Sequence, residues 1–128
     1  MPVFHTLKDG IVIVTVDGDY TSPELKRAGA RALEDPGVDG KARVLLDMSG
    51  AAGMAKRSQE ELRETAHLFS SMGGDVEAVA ILAPDDLSFG LMRVGLAYYT
   101  ASGERAEIFR ERAQALAWLG DPAAAAPD

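Results

Sequence analysis

Few side chains in this sequence are equipped for chemistry. His5 and His67 are the only imidazoles and cysteine is absent, which excludes thiolate nucleophiles, thiolate zinc sites and disulfides. Neither histidine has a second ligand at metal-binding spacing. His67 falls on the polar side of a helical pattern and His5 in a strand pattern, so both read as solvated residues. No serine stands in a nucleophile-elbow context. Asp47 closes an apolar strand pattern and opens a loop, a place where open α/β sheets put functional carboxylates. Its simpler role is to tie that loop by accepting from nearby backbone N–H groups. Asp85 and Asp86 have the right chemistry for acid–base work or Mg²⁺ binding, but capping the helix that follows accounts for both. Lys56, Arg57 and Ser58 precede another helix start, where basic side chains and free N–H groups can hold an anion. Together with Asp47 they make the one loop or anion site the sequence offers. Gly50-Ala-Ala-Gly53 matches no phosphate-binding fingerprint. No catalytic constellation, metal site or cofactor motif emerges, and the expectation is a protein that is not an enzyme.

The elements that must position these residues follow from local pattern. Val3 to Leu7 and Ile11 to Val16 read as two strands joined at Asp9-Gly10, the dipeptide of a tight hairpin turn. A second turn is expected around Asp17-Gly18-Asp19. Ser22-Pro23-Glu24 carries a cap, a proline that needs no donor, and an acid at the positive end of the dipole. The helix it opens has the narrow face Leu25, Ala28, Gly29 and Ala32 and ends at Pro36-Gly37. Arg43 to Met48 is apolar without alternation, as in a strand covered on both faces, and Ser49 to Gly53 reads as a loop. Ser58-Gln59-Glu60-Glu61 matches a capping box, with a helix to about Met72 stopped by Gly73-Gly74. Glu77 to Ala83 is a buried-type strand, Leu87 to Thr100 a helix, Ala106 to Phe109 a short strand and Glu111 to Leu119 a final helix. This order predicts a mixed sheet with helices packed against it through right-handed crossovers.

The Leu87–Thr100 helix stands out. At about 100° per residue, Leu87, Leu91, Val94 and Tyr98 form one apolar stripe, and Phe89, Met92, Leu96 and Tyr99 a second beside it. A helix on a sheet needs about a third of its circumference apolar, so the second stripe needs another cover. Neighbouring helices, a second copy of the chain, or a small apolar ligand held by a tyrosine tip would each supply one.

The 128 residues suit one domain, placed at 1–120, with a disordered tail at 121–128. A net charge of −7 argues against nucleic acid as partner, because such binding requires neutralised phosphates. No apolar run is long enough for a membrane-spanning helix, and no signal peptide is expected from the opening residues. A cytoplasmic location is expected.

The element order, with the strings Val44-Leu-Leu-Asp-Met-Ser-Gly50 and Ile108-Phe-Arg-Glu-Arg-Ala-Gln-Ala-Leu-Ala-Trp-Leu119, resembles the STAS superfamily, and within it the SpoIIAA-like group of small bacterial proteins. The resemblance runs from about Phe4 to Gly120. It implies a STAS-like α/β fold of about five strands and about four flanking helices with an N-terminal β-hairpin, and a regulatory or protein-interaction role. Anti-sigma-factor antagonists of the superfamily carry an Asp-Ser-[Ser/Thr]-Gly motif whose serine a kinase phosphorylates. The corresponding stretch here, Ala55-Lys56-Arg57-Ser58, lacks it, so Ser58 reads as a helix cap. The expected protein is an interaction module without that phosphoacceptor, dimeric through Phe89, Met92, Leu96 and Tyr99. The alternative is a binder of a small apolar or amphipathic ligand on the same face.

Overall fold

The computed structural model describes residues 3–38, 42–52, 58, 60–61, 76–97 and 105–120. In chain order the elements are β1 (Val3–Lys8), β2 (Ile11–Asp19), α1 (Ser22–Leu33), β3 (Ala42–Ala52), β4 (Val76–Leu82), α2 (Asp86–Ala97), β5 (Arg105–Phe109) and α3 (Arg112–Gly120). The five strands form one sheet in the order β1-β2-β3-β4-β5, with β1 antiparallel to β2 and the rest parallel. The expected hairpin is present. Asp9 and Gly10 have φ of 52° and 79° between the paired Lys8 and Ile11, the two positive angles that a two-residue turn of matching twist requires.

Two expectations of irregular chain are overturned in one place. The turn expected at Asp17–Asp19 and the loop expected from Ser49 are both strand. After a register shift between Thr15 and Asp17, β2 and β3 resume parallel pairing at Asp17–Gly50, Gly18–Ala51 and Asp19–Ala52. Turn-prone residues lose here because each segment finds the other's unpaired backbone groups. Gly50 is needed for the approach, since a Cβ there would lie 3.0 Å from the Val16 carbonyl oxygen.

The cap of α1 also moves by one residue. Thr21 rather than Ser22 is the N-cap: its hydroxyl accepts from the Glu24 N–H at 3.2 Å, while Glu24 Oε1 accepts from the Thr21 N–H at 3.0 Å. The helix expected over 58–72 lies outside the described residues except at its start. There Ser58 and Glu61 form the expected capping box, Ser58 Oγ accepting from the Glu61 N–H at 3.1 Å and Glu61 Oε1 from the Ser58 N–H at 3.3 Å. The stretch 121–128 likewise lies outside them.

Alternation along the strands sends side chains to two cores. Val12, Val14, Val16, Val44, Leu46, Met48, Val79 and Ile81 meet Leu25, Ala28 and Ala32 of α1 and Met92 of α2. On the other face Ile11, Ile13, Leu45, Ala78, Ala80 and Leu82 meet Ala115 and Leu119 of α3. With β3 and β4 covered on both sides, their near-continuous apolar runs are explained.

The phase of α2 differs from the expected one. Leu87, placed in the sheet-facing stripe by the projection, is 56% exposed, and Met92, placed in the outer stripe, is fully buried. Ser88 and Met92 face inward, with Phe89 and Leu91 partly buried beside them. Two adjacent apolar stripes score alike in a projection. The choice between them is made by the anchor at the helix start, where Asp85 Oδ1 accepts from the Ser88 N–H at 2.8 Å, and by the fit of an unbranched methionine against the valine-rich sheet.

A candidate functional site at the carboxyl end of the parallel strands

Thr15, Asp47, Leu82 and Phe109 are register partners across β2, β3, β4 and β5, the last rank shared by all four parallel strands. This is the end of an open α/β sheet at which loops collect functional groups. Asp47 is the charged member of the rank and is 6% exposed. Its Oδ1 accepts from the Ser49 N–H at 2.9 Å and from the Ser49 hydroxyl, and its Oδ2 from Arg112 at 2.8 Å. Asp47 does accept from a nearby backbone N–H as expected, but Ser49 belongs to β3, so the bond holds the strand rather than a loop. Arg112, the first residue of α3, adds a long-range clamp that joins this helix to β3. With both oxygens engaged, Asp47 is built to hold position.

Beside it, the segment after β4 meets the segment after β5. Asp85 caps α2, and its carboxyl is held below the usual carboxylate range by the Ser88 backbone N–H first and the Ser88 hydroxyl second. Asp86 pairs with Arg110. The Arg110 guanidinium also lies 4.4 Å from the centre of the Phe89 ring, close enough for a cation–π contact. The capping expectation thus fits Asp85, whereas Asp86 has a tertiary partner instead. Among the described residues no group of three or more His, Asp or Glu side chains could hold a metal ion.

The residues singled out from the sequence are only partly gathered here. Asp47 is in the site. Ser58 caps its helix, and Lys56 and Arg57 lie outside the described residues, so the expected anion site is not assembled among them. Phe89 lies under Arg110. Met92 is corrected from an interface residue to a core residue, because the inward face of α2 carries it against the sheet. The side chain of Leu96 and all of Tyr99 lie outside the described residues. Sequence reading missed Arg110, Arg112 and Ser49. The signal available was Arg110-Glu-Arg112 directly after a parallel strand, with a cation on either side of the turn into α3.

Comparison with known proteins agrees with this architecture. A solved structure of an uncharacterised DUF3478-family protein with a SpoIIAA-like fold, from Shewanella loihica PV-4, superposes with a TM-score of 0.58 over 91% of each chain at 19% identity. At that identity the likeness shows the fold. No curated protein matches significantly. The SpoIIAA-like family model matches residues 11–120, from the start of β2 to the end of α3. The match spans the whole parallel sheet and all three described helices, and the chain belongs to the SpoIIAA-like family.

Proposed function

We propose that this protein is a non-enzymatic, STAS-type regulatory or interaction module that works as a homodimer through the outer side of α2. The observation carrying this reading is Leu87, 56% exposed at the start of that helix. One turn on, Gly90 has open space where a Cβ would stand, so a second backbone can come close. Phe89, Arg110 and Asp86 give this apolar patch an aromatic and charged rim, the side-chain types and layout of a protein interface. The interface centre thus shifts from Met92 to Leu87, on the same helix. The capping bonds of Ser58 support the reading of that serine as structural rather than as a phosphoacceptor.

Native mass spectrometry of freshly purified protein at several concentrations tests this. The wild type is expected to give a dimer mass, and Leu87→Asp a folded monomer, because a carboxylate is costly to bury in a dry contact. An unchanged mass for Leu87→Asp removes α2 from the interface. A wild-type monomer carrying a bound small molecule favours the ligand-binding reading instead.

A further inference from the structure

A groove of about 280 Å³ lies between the edge strand β1 and α1, on the far side of the molecule's sheet order from Arg110 and Arg112, and Val3, Phe4, His5, Arg27, Ala28 and Arg31 line it. Val3, Phe4 and Ala28 supply apolar wall, and Phe4 is 47% exposed. Arg27 and Arg31 are one helical turn apart, so their guanidinium groups neighbour each other on α1. Both are exposed. The arginines at 43, 110 and 112 each hold a carboxylate: Glu77, Asp86 and Asp47. Arg27 and Arg31 hold none among the described residues, in a chain with 20 acidic side chains against 13 basic ones. Of the nearby acids, the exposed Glu34 forms no ion pair with Arg31 among the described residues, and two others are engaged elsewhere. Glu24 completes the α1 capping box, and Asp35 accepts from His5 Nε2 at 3.0 Å and from the Gly37 N–H at 2.8 Å. That bond also fixes the His5 ring at the groove wall.

We infer that this groove binds a small organic anion, its carboxylate or phosphate monoester bridged by Arg27 and Arg31 and its apolar body laid against Val3, Phe4 and Ala28. Two adjacent guanidinium forks suit a planar or tetrahedral oxyanion, to which they donate bidentate, charge-assisted bonds. The volume is just under the ~300 Å³ at which small-molecule sites begin, which fits a compact aryl or short-chain acid and excludes a dinucleotide. Like charges one turn apart oppose helix formation, so an anion also relieves a repulsion that the empty groove retains.

Phenyl phosphate titrated into isotopically labelled protein, followed by amide NMR shifts, tests the site. Saturable shifts are expected at residues 3–5 and 27–31, with inorganic phosphate and benzyl alcohol each binding more weakly than phenyl phosphate. Arg27→Gln and Arg31→Gln are each expected to weaken binding by about tenfold, the scale of one charge-assisted hydrogen bond, and to raise the melting temperature of the unliganded protein slightly. Arg93→Gln, on α2, should leave binding unchanged. Shifts confined to other residues, no saturation at millimolar ligand, or wild-type affinity in both arginine variants would overturn the inference. So would an acidic peptide that binds there more tightly than phenyl phosphate.

Discussion

The two margins of the sheet treat arginine in opposite ways. At the carboxyl end of β3 and β5, Arg112 and Arg110 are spent on Asp47 and Asp86, and one of them also covers Phe89. At the β1 margin, Arg27 and Arg31 stand side by side over a groove without a carboxylate among the described residues. The difference lies in what each cation is near. Arg112 opens a helix that docks on β3 beside a carboxylate that has left water, so its charge answers a local need. Arg27 and Arg31 sit on a solvated helix face where Glu24 serves a cap, Asp35 serves a histidine, and the exposed Glu34 forms no ion pair with them among the described residues. A cation that compensates a buried charge is structural, and a pair that compensates nothing is available.

The largest effect that can sharpen this contrast is expected from Arg112→Ala. It leaves the Asp47 carboxylate, 6% exposed, with Ser49 as its only donor among the described residues. A cost of about 2 kcal/mol is expected by urea denaturation, below the range for a wholly buried pair because the Arg112 side chain is 47% exposed. Asp47→Asn should cost less, about 1 kcal/mol, since the amide oxygen still accepts from Ser49 and the arginine is left in contact with water. The double variant should then be more stable than the sum of the two single losses predicts. Strict additivity would show that the clamp contributes nothing in solution.

Smaller still is the expected response at the β1 margin. Arg27→Gln and Arg31→Gln should stay within about 0.5 kcal/mol of wild type, on the stabilising side, because each removes one member of a like-charged pair. A clear loss of stability from either would mean that these side chains are structural after all, and the comparison would fail.

The smallest effect is with pH. The Asp35 carboxyl is held below the usual carboxylate range, chiefly by the hydrogen bond from His5 and then by the Gly37 N–H. Its folded form therefore favours the carboxylate more than the unfolded chain does. The stability this brings is present above the ordinary carboxylate range, about pH 4, and is lost as pH falls through the lower folded value. Asp85 has the same sign. Asp35→Asn should make the acid side of the stability profile shallower, read from urea midpoints at pH 5 and pH 3. An identical slope would show the His5–Asp35 bond to be unformed in solution.

Much of the architecture was legible in the residues themselves. Asp9-Gly10, the alternation in β2, the unbroken apolar runs of β3 and β4, and the capping signals before α1 and at Ser58 each report a local requirement of the backbone, and local requirements can be read locally. The site was legible only at Asp47 and Asp85, whose partners lie two and three residues away. Arg112 could not be assigned to Asp47, because 65 residues separate them and only the parallel pairing of β3, β4 and β5 brings α3 over that carboxylate.

The sequence by itself determined the class of fold, the hairpin and most of the described strands and helices, since periodicity and turn chemistry are properties of short stretches, and its strings at 44–50 and 108–119 carried the family resemblance. Three things were decided only by the tertiary structure. β2 and β3 run on past their turn-like residues because each pairs with the other. Met92 rather than Leu87 enters the core because docking on the sheet selects between two stripes of equal hydrophobicity. And which arginines are neutralised depends on where distant carboxylates arrive, a matter of chain topology that no local pattern encodes.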